Sequence, residues 1–127
     1  MPDEPDVPDE FDVYTVVVLR RPADAPDMSD EELDALQARH LAYRADLRRR
    51  GVVVVNGPFD EQSDPSYRGM SIFACDPAEA ARLSDGDPSV QAGRLAYDVM
   101  EWRVRAGALA FPLSDGPVGD RRSMPDD

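Results

Sequence analysis

Apolar residues along this chain recur with two periods, and each change of period marks an element. Residues 12–20 (DVYTVVVLR) are β-branched and read as a strand. The next eight positions hold two prolines and read as a loop. From Ser29 the period becomes helical. Leu33, Leu36, His40, Tyr43 and Leu47 follow at steps of three and four, which puts all five on one helix face. Ser29 and Glu32 predict a capping box, with acids in the first turn. Arg48, Arg49 and Arg50 close the last turn, and Gly51 suits the left-handed stop position. A second strand, residues 52–56 (VVVVN), runs into Gly57-Pro58. After a polar loop, residues 69–75 (GMSIFAC) form a third strand, close enough to the second for a hairpin. Asp76, Pro77 and Glu79 supply a cap, a first-turn proline and a capping-box acid for a helix reaching about Ser84. Asp87-Pro88 repeats the signal for a short helical turn ending near Gly93, and residues 95–104 (LAYDVMEWRV) form the fourth strand.

The order β-α-β-β-α-β predicts an α+β, ferredoxin-like fold: a four-stranded antiparallel sheet with two helices on one face. A half-exposed strand should alternate apolar with polar. The runs Val16 to Leu19 and Val52 to Val55 do not alternate; in the third strand Met70 and Ile72 point one way, Phe73 and Cys75 the other. Both sheet faces are therefore apolar while helices cover one, and the expected cover for the other is a second copy, a face-to-face homodimer.

Length adds one expectation. In 127 residues this fold occupies 12–105, flanked by a disordered, acidic, proline-rich tail (1–11) and a C-terminal extension (106–127). The net charge of −12 argues against nucleic acid and anionic membranes as partners. All 14 basic residues are arginine. There is no long apolar run, and the acidic N-terminus is unlike a secretory signal, so a cytoplasmic location is expected. The lone Cys75 reads as a small core residue.

Candidate chemistry centres on His40, the single histidine. An imidazole on an apolar stripe is either a satisfied core group or the working group of a buried site. A carboxylate partner would make it a general acid/base. Asp46 lies more than about 200° around the helix from it. Asp87 is the better candidate, and it also reads as an N-cap ahead of Pro88. Asn56, Gly57 and Pro58 read as ordinary turn residues or as a wall beside a ligand. Arg20 and Arg21 are either solvated or anion-binding, and Tyr97 and Trp102 are core or dimer-interface aromatics. No CxxC, HxxxH or HExxH spacing offers a zinc site, and no glycine-rich nucleotide loop or GxSxG elbow is present. No metal or cofactor is expected.

The residues His40-Leu41-Ala42, then Asn56-Gly57-Pro58, Gly69 and the DPSVQAG run from Asp87 to Gly93 resemble the YciI-like (YCII-related) family over roughly residues 13–104. The resemblance implies a ferredoxin-like protomer in a dimeric α+β barrel. It also implies a His–Asp pair, which falls on His40 and Asp87 as catalytic residues, with Asn56, Gly57, Pro58 and Ser71 as substrate-binding candidates. In many relatives serine directly follows the third-strand glycine; here Met70 intervenes before Ser71, and a one-residue offset turns a strand side chain to the other face. The implied function is cofactor-independent acid/base chemistry on a small cyclic or aromatic molecule: proton transfer, isomerisation or elimination, in a lyase, isomerase or hydrolase. The competing expectation is a non-catalytic module that binds a small ligand or a partner.

Overall fold

A computed structural model describes residues 10–110, in the order β1 (Phe11–Arg20), α1 (Asp30–Arg49), β2 (Val53–Pro58), β3 (Tyr67–Phe73), α2 (Pro77–Asp85), α3 (Pro88–Gln91) and β4 (Ala96–Arg105). Most of the expected acidic tail and of the C-terminal extension lies outside the described residues. The four strands form one antiparallel sheet in the order β2-β3-β1-β4, the ferredoxin-like arrangement.

Local chemistry sets the helix ends. Ser29 Oγ accepts from the Glu32 backbone N–H at 3.1 Å while Glu32 Oε1 accepts from Ser29 N–H at 2.9 Å, so the capping box forms in both directions. At the other end Gly51 adopts φ +77°, its N–H donates to the Arg48 carbonyl, and the Val52 N–H donates to the Leu47 carbonyl. That pair of bonds is a Schellman stop, and it reverses the chain into β2. Asp76 caps α2 by accepting from the Glu79 N–H at 2.8 Å. Glu79 does not complete a second box; its carboxylate pairs with Arg82 instead.

One sheet face carries the core. Val17, Leu19, Val53 and Phe73 meet Leu47 of α1, Ala80 and Leu83 of α2, and Leu95. Fully burying each large apolar side chain is worth roughly 1.5–3 kcal/mol. α1 packs over β2 and against α3, and α2 lies over β4 and β1. The opposite face has no helix on it. Register places Tyr14, Val16 and Val18 there, beside Ile72, Met70, Trp102 and Met100. Met100 and Trp102 are exposed. Arg20, at the end of this face, is engaged by Asp98 of β4 through two hydrogen bonds of 2.8 and 3.2 Å.

β2 and β3 depart furthest from the expected boundaries; β1 and β4 are offset by a single residue. β3 ends at Phe73, leaving Cys75 in the following bend, half-buried against the core. β2 continues through Gly57 and Pro58, which pair with Met70 and Gly69 instead of forming a turn. Proline is tolerated because β2 is an edge strand, where a ladder N–H can be missing. Its neighbour must be small: a Cβ on Gly69 would lie 2.8 Å from the Gly57 carbonyl oxygen. β2 also carries a bulge between Val53 and Val55. Val53 opposes Phe73 and Asn56 opposes Ser71, so the extra residue puts Asn56 on the same face as Val53, the helix face.

Candidate active site

His40 and Asp87 meet between α1 and α3. Asp87 is the N-cap of α3, and its Oδ1 accepts from the Ser89 backbone N–H at 2.9 Å. The cap role holds the carboxylate rigidly against the middle of α1, where His40 and Arg44 stand one turn apart. His40 Nδ1 lies 2.9 Å from each carboxylate oxygen. Arg44 Nε donates to Oδ2 at 3.0 Å. Asp87 is therefore at once the cap of α3 and the hydrogen-bond partner of His40.

Burial is uneven across this cluster. The Asp87 side chain is 0% exposed and that of Arg44 5%, whereas that of His40 is 12% exposed. Burial alone pushes the Asp87 carboxyl up. The hydrogen bond and charge of His40, the Arg44 guanidinium and the Ser89 N–H together outweigh that, and hold it below the usual carboxylate range. An ionised carboxylate only accepts, so Nδ1 carries the proton in the contact. In a neutral ring the free lone pair is then on Nε2, which is turned away from Asp87. The arrangement fixes the tautomer of the imidazole from its buried side.

Arg44 extends the cluster to β3 and β2. Its Nη1 donates to Ser71 Oγ at 3.4 Å, and Ser71 donates to Asn56 Oδ1 at 2.6 Å. Ser71 is buried on the helix face despite its offset from Gly69, because Gly69, Ser71 and Phe73 alternate onto that side. Asn56 reaches it through the β2 bulge. Gly57 and Pro58 are exposed on the edge strand and join neither this network nor the adjoining cavity. Asp46 pairs with Arg49 and Arg50, and Tyr97 donates to Asp85, so neither belongs to the cluster.

Arg44 was not among the residues singled out from sequence. The available signal was its place four residues after His40, on the same side of the helix. Against it stood the general rule that helical arginines are solvated. A cavity of about 380 Å3 opens between α1 and the β2 edge, with Arg44 and Asn56 in its wall; His40 is not part of that wall. Among the described residues no cluster of three or more His, Cys, Asp or Glu is placed to hold a metal ion, and no helix is long and apolar enough to cross a membrane.

Residues 14–103 match the family model of the YCII-related domain. The chain belongs to the YCII-related family. Among solved structures, this YCII-related domain is similar to 5-chloro-2-hydroxyhydroquinone dehydrochlorinase (TftG) from Burkholderia phenoliruptrix AC1100, solved in complex with 2,5-dihydroxybenzoquinone. The identity is 21%, the TM-score 0.50, and the match covers 72% of this chain and 93% of that one. At that identity the likeness concerns the fold. A comparison with curated proteins gives no sequence match.

Proposed function

We propose that the protein is a small-molecule enzyme in which His40 is the general acid/base and Asp87 orients it. The observation that carries this reading is the contact of His40 Nδ1 with both oxygens of a fully buried carboxylate, on a ring that keeps partial access to solvent. Asp87 fixes the tautomer and stabilises the imidazolium that forms when Nε2 takes a proton, the supporting role of the acid in catalytic triads. Nε2 removes a proton from a hydroxyl or ring carbon of a cyclic or aromatic substrate. In an isomerisation the proton returns at another atom; in an elimination the electron pair expels a leaving group such as halide. A family neighbour in fold that is a dehydrochlorinase supports the elimination form of this chemistry. The working unit in this proposal is a homodimer joined through the helix-free sheet face, because Trp102 and Met100 are exposed there beside Val16 and Ile72.

One observation favours a second reading. The cavity wall contains Arg44 and Asn56 but not His40. A ligand-binding module in which His40 only completes the Asp87 cluster would look the same. Turnover separates the two. His40→Asn should abolish conversion of hydroxylated or chlorinated aromatic substrates that the wild-type protein consumes, while leaving the fold intact by circular dichroism. Full activity in His40→Asn would remove the catalytic assignment.

A further inference from the structure

The cavity between α1 and β2 has a chemical character that the His–Asp pair does not explain. Its apolar wall comes from Leu41 and Ala45 on the helix and from Val54 and Val55 on the strand. Its polar lining is Arg44, Arg48 and Asn56, and no acidic side chain contributes. In a protein of net charge −12, and with Arg44 paired to Asp87 behind the wall, Arg48 leaves this lining locally positive.

The donors here are arranged in sequence and incompletely used. Arg44 gives Nε to Asp87 and Nη1 to Ser71. Its Nη2 is buried and has no hydrogen-bond partner among the described residues. A buried guanidinium N–H without an acceptor is costly, so an acceptor reaching it from outside the chain, a water or a ligand oxygen, is stabilised there. Asn56 shows the same polarity. Its Oδ1 accepts from Ser71, which leaves the amide Nδ2 as a donor. Arg48 adds a second cation at the rim, and its side chain is exposed.

We propose that this cavity binds the oxyanion of a small ring compound, a carboxylate or phenolate, with Arg44 Nη2 as the buried donor and the Leu41–Val54 side as the wall for the ring. The volume lies within the range of small-ligand sites, roughly 300–1,000 Å3. Arg44 then joins two tasks: it neutralises Asp87 and it anchors the ligand one helical turn from His40. This extends the proposed function by naming the charge of the substrate, and it rests on the reading that the His40 region handles a small organic molecule.

The test uses the full-length protein with benzoate and benzamide as probes, followed by calorimetry and amide chemical shifts. Benzoate should bind saturably and shift resonances of Arg44, Asn56 and Val54, with benzamide at least about tenfold weaker for want of the charge-assisted bond. Arg44→Lys keeps a cation against Asp87 but removes the third corner of the fork, and should weaken benzoate about tenfold. Should that variant fold poorly, Ala45→Phe fills the cavity from an exposed position without touching the ion cluster, and should abolish binding. His40→Asn should still bind benzoate, so loss of turnover in it speaks only to the catalytic reading. Absence of saturable benzoate binding, equal affinity for benzamide, or unchanged affinity in Ala45→Phe would each overturn the proposal.

Discussion

Replacing Asp87 by asparagine isolates the energy of the buried ion cluster. The amide keeps an oxygen for the Ser89 N–H, so the α3 cap survives, but the negative charge facing His40 and Arg44 is lost. Arg44 is then a cation with 5% side-chain exposure and no counter-charge. Removing one partner of a buried pair costs about 3–5 kcal/mol, and because asparagine retains one acceptor the lower end, about 3 kcal/mol, applies. Exposed-pair screening does not reduce this, since the Asp87 side chain is fully buried. With a urea slope of about 1.5 kcal/mol/M, the unfolding midpoint should fall by about 2 M. The pair Asp87→Asn with Arg44→Met removes the stranded cation as well, and should recover part of the loss. The pH dependence follows from the same group. Its folded pKa lies below the usual value of 3.8, so its contribution is complete above that value and is lost as pH falls through the folded one. Asp87→Asn should lack this acid limb. A midpoint shift equivalent to less than about 1 kcal/mol, or a double variant no better than the single one, would refute the view that Asp87 and Arg44 are a coupled buried pair.

Three further outcomes are expected. Gly86→Ala introduces a Cβ 2.5 Å from the Tyr43 hydroxyl oxygen, which donates to the Leu83 carbonyl at 2.7 Å; displacing that ring should cost about 1–3 kcal/mol in chemical denaturation, most of it absent in a Tyr43→Phe background. Trp102→Glu places a charge on the helix-free sheet face, and light scattering should then report the mass of one 14.0 kDa chain where the wild type gives twice that; a wild-type monomer would sink the dimer proposal. Tyr97 donates to Asp85, and this bond, with burial, pushes its hydroxyl up to about 12. The stability it adds is present below the unfolded value of 10.0 and is lost as pH rises through about 12, a limb that Tyr97→Phe should remove in alkaline denaturation.

Elements whose signals are local were legible in the chain. The Ser29–Glu32 box and the Asp76 and Asp87 caps use side chains within a few residues of the backbone they satisfy, the Gly51 stop uses neighbouring backbone alone, and each stands where sequence put it. The His40–Asp87 contact spans 47 residues. It was still readable, because a lone histidine on a core stripe needs a partner and the Asp87 cap of α3 faces the first helix. Arg44 was not readable by the same logic. Its burial depends on Asp87, Ser71 and the Phe73 ring, whose centroid is 5.9 Å from its guanidinium carbon, and those come from α3 and β3. Asn56, Gly57 and Pro58 show a different limit. Turn chemistry was a sound local reading, and the edge position of β2 overrode it, since an edge strand accepts a proline that a central one would reject.

The irregular pairing of β2 makes the inner edge of the site a matter of arithmetic. Four identical valines precede Asn56, so losing any one of them yields the same shortened chain. That chain would keep its hydrophobicity and its strand propensity. Its phase, however, would change, and the asparagine amide would swing to the opposite side of the sheet, away from Ser71. Here a stretch that looks like filler specifies orientation through its length alone.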